Sequence, residues 1–449
     1  MGRDSRLRRV ACLMQEGEGD AMELLEGFPH WELDFDEDGQ TVDPDQLDKF
    51  LTDVGVQQLT DVFVFSHGWN NSRAAARDLY QRFFKEMRTI LEGAHGGLRR
   101  QATIGTAGVI WPSMRWADEE AAAESTIDTG GAASVLDRAA AAPPPTDATT
   151  VRELGNVFKS QAQQTALDEM AKLLNERPAS EAELARFQQL MRQFAMQADA
   201  TEAPEDYGEY AGLLEDPPKE VFERMAAVAP PTVEEGGAQA FGPGDAFDVL
   251  WSGAKQALRL LTYAEMKQRA GVVGKEGLGP ALGRLAKMHQ NVRVHLLGHS
   301  FGARLVSFAL AGLPPGVKPV KSVFLLQGAF SHYAFADRLP HDANRGGALA
   351  GMLQRVEGPF VASFSEFDYA VGRAYPIAAM RQRQDAQFLE DVLKRWGAIG
   401  YDGATGGGRH ESPVQGCGRR LRLQGRRYRQ PEWQRCDQDH REPLLRSPR

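Results

Sequence analysis

The stretch that most limits what this chain can fold into runs Asn291-Val292-Arg293-Val294-His295-Leu296-Leu297-Gly298-His299-Ser300-Phe301-Gly302-Ala303-Arg304-Leu305-Val306. Its first half is largely β-branched and apolar, the composition of a strand buried in a parallel sheet. Its second half continues through Leu305, Val306, Phe308, Ala309 and Leu310, which suits a helix, and stops before Pro314-Pro315. Between them Gly298-His299-Ser300-Phe301-Gly302 forms a G-x-S-x-G pentapeptide. The two glycines remove side chains where strand and helix crowd, so Ser300 can occupy a sharp, strained turn above the carboxyl edge of a sheet. The same turn starts a helix, where the amide of Phe301 faces negative charge developing beside the serine. At this chain's glycine and serine frequencies the bare pentapeptide should arise by chance roughly 0.2 times, so the flanking strand and helix carry the inference.

Composition sets outer limits. A chain of 449 residues buries a large core, in one large domain with additions or in two domains. Its net charge of -9 comes mainly from an early acidic run that includes Asp34, Asp36, Glu37, Asp38, Asp43, Asp45 and Asp48. That run lacks a calcium-loop spacing and reads as a solvated loop and strand edge, so no metal is expected. Basic and aromatic residues do not interleave in the expected folded part, which argues against nucleic acid as a partner. Cys12, Cys417 and Cys436 have neither zinc nor redox spacing and suggest no disulfide framework. The apolar run Val10 to Met14 is too short for a signal peptide, and no segment approaches a transmembrane span. A cytoplasmic protein without an organic cofactor is expected.

Along the chain, residues 7–14 and Trp31 to Phe35 read as short entry strands, the second alternating like an edge strand. Leu47 to Leu51 predicts a short helix. Val62 to Phe65 is a continuous apolar run, a strand covered on both faces, and it leads into Ser66-His67-Gly68-Trp69-Asn70-Asn71. Ala76, Leu79, Tyr80, Phe83, Phe84, Met87, Ile90 and Leu91 then mark a helix. The glycine after His67 lets the backbone turn close to a substrate carbonyl, so the amide of Gly68 or Trp69 is a second candidate oxyanion donor. Thr103 to Trp111 is a further strand. From this point to about 250 the pattern breaks into Pro-, Gly- and Ala-rich linkers around two amphipathic stretches, about 151–175 and 181–198, read either as a helical lid or as a spacer. Helices over Trp251–Arg269 and Ala281–Met288, strands over Val320–Leu326 and Phe360–Phe364, and a helix over Phe388–Trp396 restore an alternation that implies a mostly parallel sheet with helices on both faces. The expected organisation is a first core part at 1–116, a helical insertion at 117–250, a second core part at 251–405 and a tail at 406–449.

A nucleophilic serine needs a base and an orienting acid. Asp368, in Ser365-Glu366-Phe367-Asp368 just beyond the Phe360–Phe364 strand, is the better acid candidate, with Glu366 second; Asp337 and Asp342 are less well placed. The histidines after Asp368 are His410 and His440. Neither follows a recognisable strand. From about Gly406 the chain carries eleven arginines, no lysine and few aliphatic residues, a composition expected to remain a disordered basic tail. A stretch read out of frame accounts better for the missing final strand and histidine loop than a native basic extension does.

Together these residues resemble the α/β-hydrolase superfamily, and more narrowly a group of poorly characterised bacterial serine hydrolases. The resemblance rests on Phe65 to Asn71, Ile110-Trp111-Pro112-Ser113, Thr262 to Gly271, Gly298 to Val306 and Ser363 to Asp368, covering roughly 60–115 and 255–400. It implies Ser300 as nucleophile, Asp368 as acid, and the amides of Trp69 and Phe301 as the oxyanion hole. The expected function is hydrolysis of an ester or related acyl bond in a small-molecule substrate. The alternative is a catalytically silent scaffold lacking a usable histidine.

Overall fold

The computed structural model describes residues 23–93, 102–113, 151, 154–156, 158–195, 203–206, 211–227, 243–364, 397–403, 409–413 and 420–424. The strand expected over 7–14, the helix over Phe388–Trp396, and Glu366, Asp368 and His440 lie outside these residues.

The sheet has nine strands: β1 (Leu24–Leu25), β2 (Phe28–Asp34), β3 (Asp61–Ser66), β4 (Ile104–Ile110), β5 (Arg293–His299), β6 (Val320–Leu326), β7 (Phe360–Phe364), β8 (Arg409–Pro413) and β9 (Arg420–Gln424). Their spatial order is β1-β2-β4-β3-β5-β6-β7-β9-β8. The run from β2 to β7 is parallel throughout, which is the α/β class the alternating pattern implied. From β3 the chain steps to β4 on one side and later returns as β5 on the other. The strand order therefore reverses between β3 and β5, and such a switch point opens a crevice at the carboxyl ends.

Side-chain alternation divides the core. Val62, Val64, Val294 and Leu296 face the larger cluster, together with α1 (Pro44–Val56) and the helices around the pentapeptide. Phe65 and Leu297 face the smaller one, sealed by Ala76, Tyr80 and Phe84 of α2 (Arg73–Glu92). The continuous apolar run at 62–65 is thus explained: both of its faces are buried. The edge reading of Trp31 to Phe35 needs revision, because Glu32 is buried in β2. Its carboxylate takes bonds from Arg73 at 3.1 Å and Arg77 at 2.8 Å, which supply the charge that burial would otherwise leave uncompensated.

Between β4 and β5 lie α3 (Gln161–Glu176), α4 (Glu181–Ala195), α5 (Ala211–Glu215), α6 (Pro218–Ala226), α7 (Pro243–Val272) and α8 (Gly279–Met288). The amphipathic faces of α3 and α4 bury Leu167, Met170, Leu184, Phe187, Met191 and Phe194 in the larger cluster, where the Phe187 ring meets Trp251 of α7 edge-on at 5.7 Å. After the pentapeptide come α9 (Phe301–Gly312) and the short α10 (Ile399–Asp402).

Within the tail, the expectation of disorder is modified at two places. β9 pairs antiparallel with β7, and β8 pairs antiparallel with β9. Arg420-Leu421-Arg422-Leu423 alternates polar and apolar, the period of a strand, and backbone pairing satisfies its amides without a large apolar contribution. Among the described residues no helix is long and apolar enough to cross a membrane.

Two buried groups make the sheet testable. The Tyr80 hydroxyl donates to the Val109 carbonyl at 2.5 Å and accepts from the His67 amide at 3.0 Å, tying the ends of β3 and β4 to α2. Tyr80→Phe leaves both backbone groups unsatisfied, and we expect a loss of about 1–3 kcal/mol in urea unfolding at unchanged m-value. An unchanged midpoint would remove this bridge from the account. Burial also holds His30 and His67 well below 6.5, at about 4 in each case. Both are neutral in the fold, whereas in the unfolded chain they charge near the ordinary value. Their stabilisation is present above that value and is lost as pH falls toward the folded value, by up to about 2.7 kcal/mol per pH unit for two protons. Urea midpoints measured across that window should decline with pH, and His67→Gln should roughly halve the slope contributed by this pair.

Candidate active site

Parallel pairing of β3 with β5 sets the site. Ser66 stands opposite Gly298, so two residues further along Gly68 arrives beside Ser300. The approach is close: a Cβ on Gly68 would lie 2.7 Å from the Cβ of Ser300 and 3.0 Å from the His299 carbonyl oxygen. Gly302 is equally constrained, since a Cβ there would meet the carbonyl oxygens of Ser66 at 2.1 Å and His67 at 2.5 Å. Three glycines, the third being Gly298 against α9, let two turns and a helix start occupy one small volume.

Ser300 pays for this position with φ 54° and ψ -119°, a left-handed conformation that a residue with a Cβ seldom adopts. Strain of this kind, of order 1–3 kcal/mol, persists only where the surroundings over-determine it. Here they do. The Ser300 amide donates to Leu326 O at 3.0 Å, and its carbonyl accepts from Ala303 at 3.1 Å and Ala329 at 3.2 Å. The side chain makes no capping bond to α9, and the residue is partly exposed. Phe301 begins α9, so its amide is one of the first-turn donors that have no partner within a helix.

The facing turn is held from several sides. His67 Nδ1 donates to the Gly68 carbonyl at 2.9 Å, and Asn71 Nδ2 donates to the carbonyls of Gly68 at 3.2 Å and Trp69 at 2.9 Å. Trp111 Nε1 donates to the His67 carbonyl at 3.1 Å, and the Ser113 hydroxyl donates to the Asn71 carbonyl at 2.8 Å. Fixing the Gly68 carbonyl fixes the peptide plane that carries the Trp69 amide, because the two point in opposite directions across a trans peptide. The histidine before the glycine is therefore a buttress of the turn, a role the sequence pattern does not reveal. Its ring stacks on Trp111 at 5.6 Å and 14°.

An aromatic wall flanks the serine. The Tyr263 ring, from α7, lies 4.5 Å from Phe301 and 5.2 Å from Trp69. The Thr262 to Gly271 stretch singled out in the sequence thus reaches the site through Tyr263. Further along α7, burial pushes the Glu265 carboxyl up to about 7, with Arg269 opposing the shift.

Of the residues expected to act, the fold brings Ser300, Phe301, Trp69, Gly298 and Gly302 together. Asp368 lies outside the described residues, although β7, which precedes it, stands one strand beyond β6 on the same edge. The backbone of His410 lies in β8, four strand positions from β5, which at about 4.8 Å per strand is roughly 19 Å of lateral separation. A Ser–His–Asp line occurs away from Ser300: His295 bonds Ser322 Oγ at 2.7 Å and Asp61 Oδ1 at 3.0 Å. It sits five residues before Ser300 on β5, about 16 Å down the strand, so it cannot serve that serine. His332, buried in the loop after β6, has its amide bonded to Gly397 O at 2.9 Å. Among the described residues no group of three or more His, Cys, Asp or Glu stands together as a metal site.

No protein-family model, curated protein or solved structure matches this chain, so the candidate site rests on its own geometry.

Proposed function

We propose that the protein is a serine hydrolase that cleaves an ester or related acyl bond in a small-molecule substrate. The observation that carries this reading is Ser300 held at positive φ on a strand–helix turn, with a second, heavily buttressed turn packed against it. Such a turn offers a hydroxyl unencumbered by capping, and the amides of Trp69 and Phe301 border the space where an oxyanion forms. In the reaction Ser300 Oγ attacks the carbonyl carbon while a histidine base takes its proton. The alkoxide leaves with that proton, and water releases the acyl group from Ser300 by the reverse sequence. Asp368 is the proposed orienting acid. The assignment of a cytoplasmic α/β-hydrolase belongs to this proposal.

The wide separation of His410 from β5 supports a second reading, a hydrolase-like scaffold that binds but does not turn over. A fluorophosphonate probe separates the two. The enzyme reading expects labelling of the folded full-length protein that disappears in Ser300→Ala; folded protein that takes no label favours the scaffold.

The oxyanion assignment has its own test. Trp69→Pro removes one backbone donor, and loss of such a donor costs roughly 10²–10³ in turnover. Circular dichroism checks that the variant is folded. A folded variant with unchanged turnover would shift the role from Trp69 to the amide of Gly68.

A further inference from the structure

Beneath the candidate site lies a buried cluster of four charges that the hydrolytic reading does not use. Asp206 accepts from Lys267 Nζ at 2.7 Å and from Arg304 Nη1 at 3.4 Å, with the three side chains 6%, 2% and 3% exposed. Its neighbour Glu205 accepts from the Ala348 amide at 2.9 Å, in the loop between β6 and β7. Each cation has a telling place. Lys267 follows Tyr263 by four residues on α7, and Arg304 follows Ser300 by four at the start of α9. Residues four apart on a helix share a face, so Lys267 sits one turn from Tyr263, while Arg304 stands in the first turn of α9, directly after the Ser300 turn.

We propose that Asp206 is a positioning residue: it clamps α7 to α9 through Lys267 and Arg304, and so fixes the aromatic wall carried by α7 against the Ser300 turn. The inference rests on the reading of Ser300 as the nucleophile. The two helices already meet through glycines. A Cβ on Gly271 would lie 3.3 Å from Arg304 Nε, and one on Gly274, just past α7, would lie 2.1 Å from Leu305 O. Such contacts set how closely the elements approach. A carboxylate shared by two cations adds a directional tie at a chosen turn of each helix. Stability alone does not account for it, since buried ion pairs are often replaced by packed apolar residues at no loss. The carboxylate comes from the segment between β4 and β5, so that segment supplies part of the scaffold behind the site.

The test uses full-length protein and two variants. Asp206→Asn removes the carboxylate that Lys267 and Arg304 share. We expect amide hydrogen exchange in α9 and in the second half of α7 to rise about tenfold. On p-nitrophenyl esters kcat should fall about 10–100-fold, with KM changed less than about threefold. The double variant Asp206→Asn with Lys267→Met restores charge balance without restoring the tie. It should recover the melting temperature while kcat and exchange stay altered. Recovery of all three together, or Asp206→Asn with unchanged exchange, would overturn the clamp in favour of simple charge compensation. If the parent protein shows no Ser300-dependent labelling, the nucleophile reading fails, and the exchange measurement still decides whether the clamp exists.

Discussion

The structure depends on one steric constraint, the meeting of two backbone turns at the carboxyl ends of β3 and β5. Parallel register brings Gly68 to Ser300, and there is room for neither a side chain at 68 nor one at 302. A backbone contact this close has little tolerance, so the groups around it are arranged to prevent drift. Tyr80 reaches from α2, Trp111 and Ser113 from the end of β4, and Asn71 from within the turn itself. Each bond is worth only about 0.5–1.5 kcal/mol net. Their joint effect is to fix the direction of one peptide plane, which suits the proposed role of the Trp69 amide, because an oxyanion donor has to be fixed before the charge it stabilises appears.

Much of this was legible because it is local. A run of apolar residues ending in Ser66-His67-Gly68, and another ending in Gly298-His299-Ser300, specify two strands and the turns that leave them. Pro314-Pro315 marks the end of α9, which stops at Gly312. Helix α2 follows its stripe through Ala76, Tyr80 and Phe84, and Ser72 caps it by accepting from the Ala75 amide at 3.2 Å. What a strand's alternation cannot report is compensation from elsewhere. Glu32 looked like a solvent-facing edge residue, and only the arginines of α2, some forty residues later, allow it to be buried. The hairpin of β8 and β9 was missed for a related reason. A scarcity of aliphatic residues argues against a buried strand, and an antiparallel addition at the sheet edge gains its stability from the backbone ladder of β7.

The charges behind the site were beyond reach of sequence reasoning altogether. Lys267 and Arg304 each stand inside stretches noted for their pattern, yet nothing in either stretch points to Asp206. The acid comes from a region of linker-like composition, and the tie between Asp206 and Arg304 spans 98 residues of chain. A short buried patch inside such a region leaves no periodic signal. Its energetic signature is equally muted, because the desolvation of four charged groups offsets much of their attraction.

Sheet geometry also limits which groups could complete the chemistry proposed for Ser300. A proton acceptor has to come within about 3 Å of the hydroxyl, directly or through one water. On the β3 and β4 side, the loops are committed to the turn: His67 Nδ1 is occupied by the Gly68 carbonyl, and Trp111 and Ser113 by the backbone they hold. The amino half of the sheet is too distant, and β8 is displaced by four strands. The loop leaving β6 borders the serine from the other side, and β7 lies one strand further on. That loop already touches it, through the Ala329 amide on the Ser300 carbonyl, and carries His332 three residues later. Strand β7 leads in sequence to Asp368. On the proposed reading, the strained serine therefore stands between the Trp69 turn on the side of β3 and β4, which would help to hold an oxyanion, and the strands β6 and β7, the second of which leads in sequence to the proposed acid.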